Sequence, residues 1–163
     1  MKALLLVDIQ EGLTKKKGLL NESLFIDTIN FVLYKYRAQG QLLIFIQHNN
    51  NQLKNGTSDW KIDSRLNIQE NDIVIQKQHG NAFEKTELKA ILVNKKAEEI
   101  LVCGLASHGC VRSTCIGAIN EGFRVGLLRK GHTNWSSDAE ARITLVEAEL
   151  EHLGVKLIDK QEL

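Results

Sequence analysis

The stretch Glu99-Ile100-Leu101-Val102-Cys103-Gly104-Leu105-Ala106-Ser107-His108-Gly109-Cys110-Val111 decides more about this chain than any other. Its first part, Glu99–Cys103, is a short apolar run, which predicts a strand buried on both faces. A glycine and a polar loop follow, and a helical pattern begins at Cys110. A thiol placed there leaves the carboxyl end of a strand above the N-terminus of a helix. Free N–H groups at that position are expected to stabilise a thiolate, and any oxyanion formed when the thiolate attacks a substrate.

Short apolar runs alternate with longer amphipathic runs along the rest of the chain. Strands are expected at Lys2–Val7, Gln41–Gln47, Asp72–Gln76, Glu99–Cys103, Arg124–Leu128 and Val155–Ile158. Helices are expected at Ser23–Ala38, Lys85–Asn94, Val111–Glu121 and Asp138–Leu153. We therefore predict a three-layer α/β/α fold, in which a Rossmann-like open sheet of about six parallel strands carries helices on both faces. Residues 1–163 are expected to form a single domain.

The composition narrows the range of functions. Hydrophobic residues make up 43% of the chain and charged residues 25%, which is ordinary for a folded protein. The net charge of +1 gives no reason to expect nucleic acid as a partner, and the apolar N-terminal run is too short to cross a membrane. Three cysteines without C-x-x-C spacing fit a reducing compartment, so we expect a cytoplasmic protein. Cys103 and Cys115 are expected to be small buried hydrophobes.

Three reactive residues lie at the ends of predicted strands. Asp8 closes the first strand, Lys77 closes the third and Cys110 follows the fourth. In an open parallel sheet, ligands bind at the carboxyl ends of the strands, near the point where the strand order reverses. Each residue alone is weak evidence, because aspartates often cap turns, strand-end lysines are often solvated and many cysteines are inert. Their shared edge of the sheet favours a site in which Cys110 is the nucleophile.

The same residues carry a resemblance to the isochorismatase-like cysteine hydrolases, a superfamily that includes nicotinamidases. Leu4–Gln10 resembles the family's apolar strand ending in Asp-x-Gln, and Ile73–Phe83 resembles its lysine motif with a following Ser/Asn-Ala-Phe. Gly104–Val111 resembles the nucleophile loop. Ile44–His48 followed by Gly56–Trp60 is similar to a small bacterial subgroup. The resemblance runs in order over nearly the whole chain.

This resemblance implies a hydrolase that cleaves an amide-type C–N bond, or a related bond, of a small molecule without a cofactor. Asp8 would be the general base and acid, Lys77 the electrostatic partner, and Cys110 the nucleophile that forms a covalent thioester. The oxyanion hole would consist of the backbone N–H groups of Ala106 and Cys110, arranged by a cis peptide bond between Leu105 and Ala106. The resemblance also implies a homo-oligomer, either a dimer or a larger assembly.

A further set of residues is expected to form the substrate pocket: Gln10, His48, Trp60, Phe83 and His108. His48 could instead cap its strand, and Trp60 and Phe83 could belong to the core or to an interface. Relatives that bind zinc have an Asp-x-His segment and a further histidine at the end of the second strand. The segment Gln47-His48-Asn49 offers one histidine between neutral amides, so we expect no metal.

Three other features leave alternatives open. The pair Arg129-Lys130 stands where the family often has Asp-Ala, and it could attract a carboxylate of the substrate or lie on the surface. His79 flanks the expected site and is a candidate for substrate contact. The polar stretch Asn49–Asn71 could cover the site or form an oligomer contact.

Several other functional classes compete with the hydrolase hypothesis. A catalytically idle scaffold or a small-molecule-binding protein could keep this fold, although intact Asp8, Lys77 and Cys110 argue against it. A nucleotide- or flavin-binding protein lacks support because the chain has no G-x-G-x-x-G and no P-loop motif. A thiol redox protein would need a resolving cysteine close to Cys110.

Overall fold

The computed structural model describes all residues of the chain, 1–163. The strands are β1 (Lys2–Val7), β2 (Leu42–His48), β3 (Ile73–Lys77), β4 (Glu99–Leu105), β5 (Arg124–Thr133) and β6 (Lys156–Ile158). The helices are α1 (Glu11–Thr14), α2 (Glu22–Ala38), α3 (Leu88–Asn94), α4 (Arg112–Asn120) and α5 (Ala139–His152). A π-helical turn spans Ser107–Val111, and a 3₁₀ turn spans Lys160–Glu162.

The six strands form one parallel sheet in the order β3-β2-β1-β4-β5-β6. Alternate residues of each central strand enter two separate cores, because successive side chains point to opposite faces. On β1, for example, Leu5 and Val7 pack beneath α3, α4 and α5, whereas Leu4 and Leu6 pack beneath α2. Helices therefore cover both faces, and the predicted three-layer α/β/α fold is confirmed. No helix is both long enough and apolar enough to cross a membrane.

The strand order reverses between β1 and β4, which are neighbours in the sheet although 91 residues lie between Val7 and Glu99. This is the topological switch point, where the crossovers on the two sides lead away from each other and leave a crevice at the carboxyl ends. Asp8 follows β1 and the loop containing Cys110 follows β4. The fold thus brings both residues to the crevice in which ligands of such sheets bind.

The short helix α1 was not expected, α3 begins three residues later than expected, and two further elements differ in ways that affect the site. The strand β5 ends at Thr133 and not at Leu128, because an irregularity opposite Val102–Gly104 lets the chain rejoin the sheet at His132. The helix α4 begins at Arg112, after the π-helical turn, and not at the cysteine. Cys110 therefore lies on a separate turn whose geometry the helical pattern did not predict.

Candidate active site

Four groups surround the Nζ atom of Lys77 at the carboxyl edge of the sheet. Nζ lies 3.1 Å from Oδ2 of Asp8 and 3.2 Å from Sγ of Cys110. It also lies 2.7 Å from Nδ1 of His48 and donates to the carbonyl oxygen of His79 at 3.0 Å. Lys77 and Asp8 are buried and Cys110 is partly exposed. The three residues expected to carry the chemistry are therefore gathered around one ammonium group.

The position of Asp8 depends on an unusual backbone at the switch point. Asp8 has a φ of 54°, in the left-handed region that aspartate tolerates better than most residues. Beside it, Gly104 of β4 has a φ of 126°, and a Cβ atom there would overlap the backbone of Val7. Only glycine allows β4 to approach β1 so closely. This close approach brings the loop after β4 next to the carboxylate of Asp8.

The loop that carries the thiol has the features that the resemblance implies. The peptide bond between Leu105 and Ala106 is cis. The carbonyl oxygen of Ala106 accepts hydrogen bonds from the N–H groups of Gly109 and Val111, which closes the turn around Cys110. The N–H group of Ala106 itself donates to no other group in the chain. It is therefore available to a bound oxyanion.

Burial decides the protonation of the thiol. Desolvation raises the pKa of Cys110 to about 12, the negative charge of Asp8 raises it as well, and the ammonium of Lys77 offsets part of the increase. Burial therefore opposes the thiolate expected from the sequence. The surroundings of Cys110 thus favour its thiol form over the thiolate.

Two further groups of the cluster, Asp8 and His48, are also shifted toward their neutral forms. Burial raises the pKa of Asp8 above its ordinary value, although Lys77 lowers it. Burial and the charge of Lys77 both lower the pKa of His48, whose neutral ring can accept a hydrogen bond from Lys77 through Nδ1. A carboxylate with a raised pKa is a stronger base, so Asp8 is better suited to accept a proton from the thiol.

A metal ion does not fit this cluster. Ligand atoms of Asp8, His48 and Cys110 lie within 4.8 Å of one another, which is close enough to hold a cation. However, the ammonium of Lys77 is within 3.2 Å of all three groups and already provides the positive charge. A divalent ion would have to displace Lys77, and the buried ammonium would repel it. The donors therefore fit the lysine and not a metal.

A network of buried amides fixes one wall of the site. Gln10 is wholly buried, and its amide bonds both the N–H and the carbonyl of His48. It also donates to the carbonyl oxygen of Trp60, which accepts a second bond from Gln47. The indole N–H of Trp60 reaches the side chain of Gln76. Gln10, expected to line the pocket, has no free polar atom and holds the wall in place instead.

The remaining pocket candidates lie in different surroundings. Phe83 is only 9% exposed and stacks on Phe123 at a centroid distance of 6.0 Å, so it belongs chiefly to the core. His108 is exposed on the π-helical turn. His79 offers its carbonyl oxygen to Lys77, while its ring lies 3.9 Å from Glu84 at the surface. Of the predicted pocket residues, His48 is the one in contact with Lys77.

The long polar stretch between β2 and β3 is anchored beside β1. The N–H group of Asp63 donates to the carbonyl oxygen of Ile9 at 2.9 Å. Its carboxylate accepts hydrogen bonds from Thr14 at 2.6 Å and from the guanidinium of Arg65. Although burial opposes it, these hydrogen bonds hold the pKa of Asp63 at about 2. Residues 49–71 thus pack against the segment that follows Asp8. The sequence alone did not predict this contact.

Two polar cavities lie near this edge of the sheet. One of about 670 Å³ is lined by Lys77 but not by Asp8 or Cys110, and its lining contains three more basic side chains and no carboxylate. These basic residues are Lys54, His79 and Lys85. Arg129 and Lys130 border a separate cavity of about 710 Å³ that contains none of Asp8, Lys77 and Cys110. Arg129 lies within 4.0 Å of carboxylates of Glu147 and Asp159, so the structure places this pair away from the candidate site.

The fold and the site together define a class: a doubly wound α/β protein with a cysteine, a lysine and an aspartate at its switch point. The sequence model of the isochorismatase domain matches residues 2–162. The chain belongs to the isochorismatase family.

The thiols of Cys103 and Cys115 are buried in the two cores of the protein, as predicted.

Individual relatives support the same assignment. The chain is 36% identical over 64 residues to an N-carbamoylsarcosine amidase of Arthrobacter, a match that covers 39% of this chain and 24% of the relative. It is 27% identical to the ureidoacrylate amidohydrolase of Klebsiella pneumoniae subsp. pneumoniae, over 74% of this chain and 66% of the relative. The chain thus spans less than two thirds of each of these two relatives. The crystal structure of an isochorismatase family protein has a TM-score of 0.92 at 26% identity and covers 96% of this chain and 97% of its own.

Proposed function

We propose that this protein hydrolyses an amide-type C–N bond of a small molecule through a thioester on Cys110. The observation that carries the proposal is the position of Lys77, whose Nζ atom contacts both the carboxylate of Asp8 and the thiol of Cys110. A nucleophile, a base and a charge that orients the base are the parts that covalent acyl transfer requires. No cofactor is needed for this chemistry.

The first half of the reaction forms the acyl-enzyme. Sγ of Cys110 attacks the carbonyl carbon while the thiol proton passes to Asp8. The carbonyl oxygen becomes an oxyanion, which the N–H groups of Ala106 and Cys110 bind. The intermediate then collapses, the C–N bond breaks and Asp8 gives its proton to the leaving nitrogen. An amine or ammonia leaves, and the acyl group remains on Cys110 as a thioester.

The second half restores the thiol. A water molecule attacks the thioester carbon and gives a proton to Asp8, so that the same carboxylate acts again as a base. The C–S bond breaks, the carboxylic acid product leaves and the proton returns from Asp8 to Sγ. Lys77 stays positive throughout and balances whichever group, carboxylate or thiolate, carries the negative charge. This division of labour explains why a buried, protonated Cys110 suits the reaction: the proton leaves only as the C–S bond forms.

The lining of the adjoining cavity favours a substrate that carries an anionic group. Lys54 and Lys85 form no ion pair within the chain, and their cavity contains no carboxylate. N-carbamoylsarcosine and ureidoacrylate, for which two relatives are named, each combine a carbamoylated nitrogen with a carboxylate. We therefore include small carbamoylated acids in the proposed substrate class. With these, the group on Cys110 would be a carbamoyl thioester, and its hydrolysis would release carbamic acid, which decomposes to CO₂ and ammonia.

The proposal is tested by a hydrolysis screen with the native protein and Cys110→Ala. N-carbamoylsarcosine, ureidoacrylate and nicotinamide are incubated with each protein, and release of ammonia or amine is measured. Cys103→Ala is the matched control, because Cys103 is a buried thiol on β4 outside the site. We expect turnover of at least one compound by the native protein and the control, and none above background with Cys110→Ala.

A different outcome would favour the catalytically idle scaffold. If the native protein binds these compounds in calorimetry but releases no product from any of them, the hydrolase proposal fails in this form. Cytoplasmic location and homo-oligomerisation stay predictions. Three unpaired cysteines support the first, because thiols persist in reducing compartments.

A further inference from the structure

A separate network of hydrogen-bonded side chains lies behind the loop that carries Cys110. Nδ1 of His132 lies 2.9 Å from Oγ of Ser107, and Nε2 of His132 lies 3.1 Å from Oε1 of Glu147. The side-chain amide of Asn134 also reaches Oγ of Ser107, at 3.5 Å. Ser107, His132 and Asn134 are buried. None of these side chains contacts Lys77, Asp8 or Cys110, so the mechanism above does not use them.

The irregularity in β5 is what brings His132 to this place. Val102 of β4 pairs with Leu127, but Gly104, only two residues later, pairs with His132. The extra residues of β5 include Lys130, whose φ of 60° turns the chain back toward the sheet. His132 therefore lies beside β4 just before the cis peptide bond. A bulge that re-aims a side chain next to a functional site is a recurrent device in sheets.

The hydrogen-bonding capacity of these side chains fixes the direction of the bond between His132 and Glu147. The carboxylate of Glu147 can only accept, so Nε2 of His132 donates to it. The amide nitrogen of Asn134 donates to Oγ of Ser107, and Oγ forms a second hydrogen bond with Nδ1 of His132. Each buried group has a partner, and the Ser107 side chain is held in one orientation.

Serine hydrolases also contain a serine, a histidine and a carboxylate joined by hydrogen bonds, but these three residues do not form a second nucleophilic centre. Ser107 has no exposed surface, so no substrate can reach its hydroxyl. What Ser107 can do follows from its position in the chain. It comes directly after Ala106 and begins the π-helical turn on which Cys110 lies.

We infer that Glu147, His132 and Ser107 are positioning residues that hold the N–H groups of Ala106 and Cys110 where an oxyanion forms. This inference rests on the proposed function. Oxyanion stabilisation requires donors at fixed positions, and a displacement of about 1 Å can cost ~100-fold in rate. Glu147 lies on α5, so these hydrogen bonds connect the active-site loop to the helix layer behind it.

The test compares two reactions of the same sulfur atom. Acylation of Cys110 by p-nitrophenyl acetate passes through an oxyanion, whereas alkylation by iodoacetamide displaces iodide from a saturated carbon and forms none. Both rates are measured for the native protein, Ser107→Ala and His132→Phe, with the modified residue identified by peptide mass spectrometry. We expect acylation to fall about 10- to 100-fold in the variants while alkylation stays within about 3-fold.

Glu147 supplies the conservative comparison. Glu147→Gln keeps an oxygen that can accept from Nε2 of His132, so we expect acylation to stay within about 3-fold of the native rate. Glu147→Leu removes the acceptor, and its acylation rate is expected to fall as in Ser107→Ala. Glu149→Gln, on the same helix, breaks an exposed pair with Arg112 and is expected to change neither reaction. Because Glu147 is at the edge of the core, this comparison remains informative if His132→Phe does not fold.

The outcomes separate the inference from the proposed function. Equal losses of acylation and alkylation, or unchanged acylation in Ser107→Ala and Glu147→Leu, would overturn the positioning role. A native protein that p-nitrophenyl acetate does not acylate at Cys110 would overturn the proposed function itself, and the inference with it.

Discussion

The ammonium nitrogen of Lys77 lies 3.2 Å from the sulfur of Cys110, and the side chain of Lys77 has no exposed surface. A buried charge is costly unless it is paired and hydrogen-bonded, and Lys77 finds those partners on three different segments. Asp8 follows β1, His48 ends β2 and Cys110 follows β4. Lys77 therefore joins the strand ends that form the site, and its loss is expected to affect both stability and chemistry.

Replacing Lys77 with methionine is expected to destabilise the protein most at neutral pH. Asp8 is left buried without its cation, and breaking such a pair costs about 3–5 kcal/mol. Because burial already raises the pKa of Asp8, the folded state prefers the protonated carboxyl. The loss of unfolding free energy in the variant therefore grows as pH rises above the ordinary pKa of an aspartate. Urea unfolding at pH 4.5 and 7.5 measures it, with Lys89→Met, which loses only an exposed pair, as the control.

Replacing Asp8 with asparagine is expected to move two properties in opposite directions. The charge of Asp8 raises the pKa of Cys110, so its removal lowers that pKa from about 12 and speeds alkylation at pH 8. Turnover is nevertheless expected to fall about 10²- to 10⁴-fold, because the proton acceptor is gone. Iodoacetamide rates across pH 6–10 and steady-state hydrolysis test both effects. Slower alkylation with unchanged turnover would contradict this role of Asp8.

Replacing Asp63 with asparagine is expected to loosen the segment beside β1. Its carboxylate binds Thr14 and Arg65, and hydrogen bonds to a charged group contribute about 1.5–3 kcal/mol. The pKa of Asp63 is depressed to about 2 in the folded protein. This stabilisation is therefore present above about pH 4, the pKa of an aspartate in the unfolded chain, and it disappears as pH falls toward 2. The difference in unfolding free energy between native and variant proteins should therefore shrink between pH 4 and pH 2. A difference independent of pH would exclude the carboxylate as its cause.

Replacing Gly104 with alanine is expected to prevent the close approach of β4 and β1. The new methyl group would overlap the backbone of Val7, at a φ of 126° that alanine rarely adopts. Gly40→Ala is the matched control, because Gly40 also has a positive φ but no atom within 4 Å of the new methyl group. The control should lose about 1 kcal/mol and Gly104→Ala much more, as measured by thermal unfolding. Similar melting temperatures would show that the sheet can adjust.

The fold was predictable because its strands are continuous apolar runs. Apart from the end of β5, all six strands and the four longer helices were expected within about three residues of their observed bounds, since buried parallel strands need no alternation. The end of β5 was missed because Arg129-Lys130-Gly131 interrupts the apolar run before the strand resumes at His132. The strand order was not predictable, because it depends on which strands pair with each other and no local sequence pattern specifies that pairing.

The site was predictable only in part. Asp8, Lys77 and Cys110 stand at strand ends, so a parallel sheet brings them to one edge. The protonation of Cys110 was not predictable, because it depends on how deeply the loop is buried. The hydrogen bonds of Gln10 and the chain from Ser107 to Glu147 join segments that are far apart in sequence. No local motif marks them, and a lone histidine such as His132 gives no sign of its partners.

The most direct test of the central claim is the mass of the intact protein, quenched in acid within milliseconds of mixing with a substrate identified in the screen. We expect a transient species heavier by the acyl group, located on the peptide that contains Cys110 and absent from Cys110→Ala. Hydrolysis by Cys110→Ala at the native rate, or an acyl group found on another residue, would contradict it.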